Sequence, residues 1–234
     1  MCGGRAGNLP EKKSDRGNRV PLGHQDEMSF PGIKGYVMAG GGSSRFGTDK
    51  ALARLGGETM LARMCRVLRE ATGHVKVVAS SPNYAGSEAE IVPDQWPGEG
   101  PLGGIVTALE DALAKAQATT HCLIVSCDMP FLTAAWLQYL CACAAGRPPR
   151  IVVPRSEEGL EPLCACWPLD SAETLRKLFD GGVRKVTEVF KHTETEILDE
   201  AHWKRFDSAG RLFWNMNTPQ DYEDALKALA EEHR

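Results

Sequence analysis

Several features are missing from this chain, and each absence excludes a class of function. No apolar run approaches the roughly 18 residues a helix needs to span a bilayer, so no membrane partner is expected. Residues 1–31 contain no apolar segment of the kind that opens a signal peptide, and a cytoplasmic location is expected. Positive charge is not in excess: 27 Lys and Arg stand against 31 Asp and Glu, a net charge of -4, which argues against general nucleic-acid binding. The eight cysteines include no C-x-x-C pair; Cys141 and Cys143, like Cys164 and Cys166, are spaced C-x-C. The six histidines form no H-x-x-H or H-x-x-x-H pair. Without metal spacing or a secretory context, the cysteines are expected to be buried thiols that pack as small hydrophobes.

What is present is alternation. Residues 1–31, rich in Gly, Pro and charge, read as a disordered tail. From residue 32 to 234 the chain reads as one domain in which strand and helix signals take turns. Residues 34–39 predict a first strand and 75–79 a second, while 122–126 is a continuous apolar run expected of a central parallel strand covered on both faces. Helical stripes run over 59–71 and 103–116, and Trp136, Leu137 and Leu140 mark another helix. Residues 151–153 and 163–167 predict further strands, and Thr218-Pro219 opens the last helix with a capping hydroxyl and a proline at the first helical position. The pattern predicts a three-layer α/β/α, Rossmann-like fold with a mostly parallel central sheet.

Ligands of such sheets bind at the carboxyl ends of strands, and three polar clusters fall there. The first is Met38-Ala39-Gly40-Gly41-Gly42-Ser43-Ser44-Arg45-Phe46-Gly47-Thr48-Asp49-Lys50. It is not a Walker A loop, because Thr48-Asp49 separate Gly47 from Lys50 and no hydroxyl follows the lysine. It is not a G-x-G-x-x-G fingerprint either, because Arg45 stands where the third glycine belongs. A flexible strand-to-helix connection is one reading; the two cations, Arg45 and Lys50, favour a phosphate cradle. The second cluster, residues 92–104, offers Asp94 to a ribose or base, or as an ordinary cap of a surface loop. In the third, Asp128 ends the hydrophobic strand before Pro130 and is placed either to hold Mg²⁺ against phosphate oxygens or to cap the next helix.

Together these clusters resemble the molybdenum cofactor guanylyltransferases, a family within the nucleotidyltransferases. The matching residues are Met38-Ala39-Gly40-Gly41 with Arg45-Phe46-Gly47, Asp49-Lys50-Ala51-Leu52, Leu55-Gly56-Gly57-Glu58-Thr59, Asp94 with Gly100-Pro101-Leu102-Gly103-Gly104, Cys127-Asp128-Met129-Pro130-Phe131, and Asn215-Met216-Asn217-Thr218-Pro219-Gln220-Asp221. The resemblance spans roughly residues 33–225, with the motifs in the same order. It implies a nucleotidyltransferase fold and transfer of GMP from GTP to the terminal phosphate of Mo-bound molybdopterin, with release of pyrophosphate. It further implies that Met38, Ala39, Gly40 and Gly41 meet the guanine nucleotide, that Lys50 and Arg45 bind its phosphates, and that Asp94 holds the nucleoside. Asp128 would bind Mg²⁺. Ser80 or Ser81 stands where the family often has an asparagine near the guanine. Asn215 and Asn217 form a paired-asparagine motif on the pterin or metal side, with turn formation as the alternative. Arg184 and Lys185 would meet the pterin phosphate, with ordinary solvated charges as the alternative. Molybdoenzymes or other cofactor-biosynthesis proteins are the protein partners such a role implies. Rival assignments are a cytidylyltransferase acting on the same cofactor, a sugar-phosphate nucleotidyltransferase, and a non-catalytic cofactor-binding or delivery protein.

Overall fold

The computed structural model describes residues 30–40, 49–80, 84, 89–115, 118–146 and 148–232. The expected tail through residue 29, Gly41 and Arg45 of the glycine loop, and Ser81 lie outside the described residues. The chain runs β1 (Ile33–Ala39), β2 (Arg54–Leu55), β3 (Glu58–Thr59), α1 (Met60–Thr72), β4 (Val75–Ala79), β5 (Glu90–Pro93), α2 (Pro101–Lys115), β6 (His121–Ser126) and α3 (Ala134–Ala144). It continues through β7 (Ile151–Ser156), β8 (Gly159–Leu160), β9 (Cys164–Pro168), α4 (Ala172–Asp180), α5 (Val186–Val189), β10 (Thr195–Leu198), α6 (Glu200–Trp203) and α7 (Pro219–Glu232).

The main sheet has the order β10-β7-β9-β6-β1-β4-β5, with β8 paired to β7. Alternate side chains of β1 enter opposite cores. Val37 and Ala39 pack with Leu61, Met64 and Leu68 of α1 and with Trp136 and Leu140 of α3. Tyr36 packs on the other face with Ile105 and Leu109 of α2 and Leu175 of α4. These are the three predicted layers. All six residues of β6 are buried, and each fully buried Leu, Ile or Val there contributes roughly 1.5–3 kcal/mol, which forces β6 to the middle of the sheet. It pairs parallel with β1 but antiparallel with β9, so the fully parallel environment expected for it holds on one side only. The reason is the connection: β7 returns to β9 through the short β8 segment, which has no crossover helix and permits only antiparallel pairing.

Local chemistry sets the element ends. Thr59 caps α1 by accepting a hydrogen bond from the Ala62 N–H at 3.1 Å, and Thr133 does the same for α3 with the Trp136 N–H at 3.2 Å. At Gly35 a Cβ would lie 2.7 Å from Leu68 Cγ and 2.8 Å from the His74 carbonyl oxygen, so the end of α1 rests directly on the backbone of β1. A third, smaller core joins Ala225, Ala228 and Leu229 of α7 to Leu55, Met60, Phe131 and Met216. The seven described cysteines are all free and buried, as expected.

Candidate active site

The chain leaves β1 for β4 and β5 on one side, then returns through α2 to β6 on the other, so β1 is the switch point at which a crevice opens. Register aligns the strand ends there. Met38 is opposite Ser126, Ala39 opposite Ala79, and Ala79 opposite Pro93. The residues just beyond these ends, Gly40, Ser80, Asp94 and Asp128, therefore share one edge.

A cleft of about 350 Å³ occupies this edge, walled by Met38, Ala39 and Gly40, by Asp94, Gly98 and Gly100, by Pro101 and Gly104 at the start of α2, and by Asp128. At Gly104 a Cβ would fall 2.0 Å from Met38 Cε, so the glycine lets α2 and the end of β1 close on each other. The helix start supplies the positive end of its dipole to this wall. Asp94 is braced by its own turn: Oδ1 accepts from the Trp96 N–H at 3.0 Å, and its backbone N–H donates to the Ala79 carbonyl at 2.9 Å.

Asp128 carries the feature that fits a cation. Its Oδ1 is buried and no protein group donates to it among the described residues. A carboxylate oxygen without a donor is costly to bury, and a hard cation with an oxygen-based shell satisfies it. The loop bearing the paired asparagines is held against it, because the Met216 N–H donates to the Asp128 carbonyl at 2.9 Å. Phe131 and Trp214 stack beside that contact with centroids 5.5 Å apart. One residue further on, Asn217 Oδ1 accepts from Lys50 Nζ at 3.1 Å. The loop thus joins the lysine after β1 to the aspartate after β6.

The family model for the MobA-like NTP transferase domain matches residues 35–196 of the chain. The chain belongs to this family. It is 35% identical over 200 residues to the molybdenum cofactor guanylyltransferase of Rhizobium johnstonii, covering 84% of this chain and 93% of that protein. It is 31% identical over 201 residues to the probable molybdenum cofactor guanylyltransferase of Pelotomaculum thermopropionicum, covering 86% of this chain and 94% of that protein. The crystal structure of the molybdopterin-guanine dinucleotide biosynthesis protein A of Archaeoglobus fulgidus has the same fold, with a TM-score of 0.71 and 24% identity, over 85% of this chain and 99% of the other.

As a MobA-like NTP transferase the chain is a nucleotidyltransferase, and most of the residues nominated from sequence meet at one edge of its sheet. Met38, Ala39, Gly40, Asp94 and Asp128 wall the cleft. Ser80 is exposed beside it, its Oγ 3.8 Å from where a Cβ on Gly40 would stand. The two asparagines part ways: Asn217 reaches Lys50, whereas Asn215 Nδ2 turns back to the Phe213 carbonyl at 3.3 Å. Arg184 Nε donates to Glu99 Oε2 at 2.7 Å, beside the wall formed by residues 94–100.

Three residues near these groups were given no role from the sequence. Tyr84 donates its hydroxyl to Asp49 Oδ2, and Asp49 Oδ1 caps the single helical turn that carries Lys50, accepting from the Ala51 N–H at 3.0 Å. Burial and the neighbouring Asp49 carboxylate push the Tyr84 phenol up, so it remains a donor. Asp221 Oδ2 accepts from the Asn217 N–H at 2.8 Å and the Thr218 N–H at 2.7 Å, while its own N–H donates to Thr218 Oγ1 at 3.1 Å. Burial raises its carboxyl, but the Asn217 and Thr218 donors and the Lys50 charge outweigh this and hold it below its ordinary value. The Thr218-x-x-Asp221 spacing is a capping signature that could have revealed it. Glu161 is the third: it is buried, and Ser156 Oγ donates to its Oε1 at 2.6 Å. Burial pushes its carboxyl up, and the Glu158 and Asp128 charges add to that. No local pattern marks Glu161 or Tyr84.

Proposed function

We propose that this chain transfers GMP from GTP to the terminal phosphate of Mo-bound molybdopterin, releasing pyrophosphate and leaving molybdopterin guanine dinucleotide. The observation that carries the proposal is the buried Asp128 oxygen, without a donor among the described residues, in the same cleft as the end of β1 and tied through residues 216–217 to Lys50. The names of the relatives support guanine as the base and the molybdenum cofactor as the acceptor.

In the proposed reaction an oxygen of the acceptor phosphate forms a bond to the α-phosphorus of GTP as the α–β bridging bond breaks. Pyrophosphate takes the electron pair. A phosphate monoester has its second pKa near ~6, so the nucleophile is already ionised at neutral pH and no general base is required. The task of the protein is positioning and charge. Lys50, steered by Asn217, neutralises phosphate charge; Asp94 and the backbone of residues 38–40 hold the nucleoside. Asp128 would hold a magnesium ion, which when bound supplies charge neutralisation on the phosphate oxygens. Arg45 and Gly41 complete the phosphate cradle in this proposal.

The test is incubation of the full chain with Mg²⁺, GTP labelled at its α-phosphate and Mo-loaded molybdopterin, with separation of the dinucleotide product. Label is expected in the product with GTP and not with CTP. Transfer from CTP alone would replace the base assignment, and binding of the cofactor without release of pyrophosphate would replace the enzyme by a carrier.

A further inference from the structure

The wall of the cleft formed by residues 94–100 has its anchor outside the cleft. Gly98 and Gly100 line the cleft with φ of 84° and 90°, backbone that glycine adopts readily and that gives the segment little stiffness of its own. Between them, the Glu99 side chain points away to the connection after α4, where its Oε2 accepts from Arg184 Nε at 2.7 Å. Arg184 is itself fixed. Its Nη1 donates to the carbonyls of Phe179 at 2.7 Å and Val183 at 3.0 Å, and its guanidinium lies 4.1 Å from the centre of the Phe179 ring. The same ring packs against Trp96 with centroids 5.1 Å apart, at the other end of the wall. Arg176 covers Trp96 at 4.7 Å and reaches Glu110 on α2 at 3.0 Å.

We propose that Arg184 is a positioning residue for the nucleotide: through Glu99 it holds residues 98–100 in the shape that receives the nucleoside. This inference rests on the proposal that GTP occupies the cleft. An isolated exposed ion pair would contribute little. Here the guanidinium is already oriented by two carbonyls and a ring, so the contact with Glu99 costs little further ordering and restrains two glycines at once. A wall ordered before the ligand arrives spares the nucleotide that cost on binding. The effect falls on donor affinity, because none of these groups approaches Asp128 or Lys50 in the hydrogen-bond pattern.

The experiment is calorimetric titration of the full chain with Mg²⁺–GTP, alongside steady-state kinetics with the acceptor. Arg184→Ala is expected to raise the Kd and KM for GTP roughly fivefold, the scale of one well-ordered charged contact. The kcat and the acceptor KM should be unchanged, while the melting temperature falls by a few degrees as the Phe179 and Val183 carbonyls lose their donor. Glu99→Ala should show the same loss, and the double variant should be no weaker than either single one, since both remove one coupling. Arg184→Lys, which keeps the charge but not the planar fork, should fall between. A raised acceptor KM with unaltered GTP affinity in Arg184→Ala would overturn the inference in favour of an acceptor role. Additive losses in the double variant would overturn it as well. Absence of Mg²⁺–GTP binding by the unmutated chain would overturn the GTP assignment and this inference with it, whereas unmutated binding matched by Arg184→Ala overturns the inference alone.

Discussion

Replacing Asp128 by Asn should make the protein a poor enzyme and a slightly more stable one, and the two effects come from the same atom. Oδ1 of Asp128 is buried with no donor among the described residues. Leaving a buried acceptor unsatisfied costs about 1–3 kcal/mol, and more when it is charged. An amide of the same shape removes the charge while the Asp128 backbone carbonyl keeps its bond from Met216 at 2.9 Å. A gain on the order of 1 kcal/mol raises the melting temperature of a domain this size by about 2–4 °C. Catalysis moves the other way. A metal acting on a phosphoryl group supplies several kcal/mol of transition-state stabilisation, and losing about 4 kcal/mol lowers kcat about 10³-fold. The assays are thermal unfolding in chelator, where the variant should match or exceed the parent, and GMP transfer at saturating GTP and Mg²⁺. The parent should also gain stability from Mg²⁺–GTP, and the variant should lose most of that gain. A kcat within tenfold of the parent, or a metal-free melting temperature several degrees below it, would refute the assignment of Asp128 as a cation ligand held at a cost in stability.

Asp221→Asn keeps an acceptor but removes the charge at the helix start, and should cost about 0.3–1 kcal/mol, up to about 2–4 °C in melting temperature at neutral pH, and raise KM for GTP as Asn217 and Lys50 loosen. Because the folded state holds this carboxyl below its ordinary value of 3.8, its contribution is complete above that pH and is lost as pH falls through the folded value; parent and variant should converge in acid unfolding, and a gap that persists at the lowest pH would contradict the linkage. Tyr84→Phe removes the donor to Asp49 and should cost about 0.5–1.5 kcal/mol in chemical denaturation, with a rise in KM for GTP through the turn that bears Lys50. Gly35→Ala places a Cβ 2.8 Å from a backbone carbonyl and 2.7 Å from Leu68 Cγ, and overpacking of this kind should cost about 1–3 kcal/mol by urea denaturation with kcat unchanged.

Much of the frame was legible because the forces that build it are local. The strand expected over residues 75–79 is observed as Val75–Ala79, and that over 34–39 as Ile33–Ala39, since β-branched and apolar runs of that length between glycine or turn residues have few alternatives. The apolar stripe over 59–71 marked α1, and the Thr218-Pro219 pair marked the start of α7 by its capping chemistry. The antiparallel placement of β9 was not legible, because direction depends on whether the intervening chain crosses the sheet, and residues 157–163 carry no periodicity that says so. The contacts of Arg184 were not legible for a similar reason: a basic pair after two glycines has no address until α4 is packed on α2 beside residues 94–100.

By itself, then, the sequence determined the alternation of layers, the three polar strand ends and the candidate groups for phosphate and a cation. Those follow from periodicity, turn residues and side-chain chemistry, which act over a few residues at a time. The tertiary structure decided which groups work together. Lys50 meets Asn217 across 167 positions, Tyr84 braces Asp49 across 35, and Arg184 reaches Glu99 across 85. Such pairings are set by the register of β1 against β4 and β6 and by the packing of helices on the sheet, and a contact between distant segments exists only once those long-range terms have placed both partners.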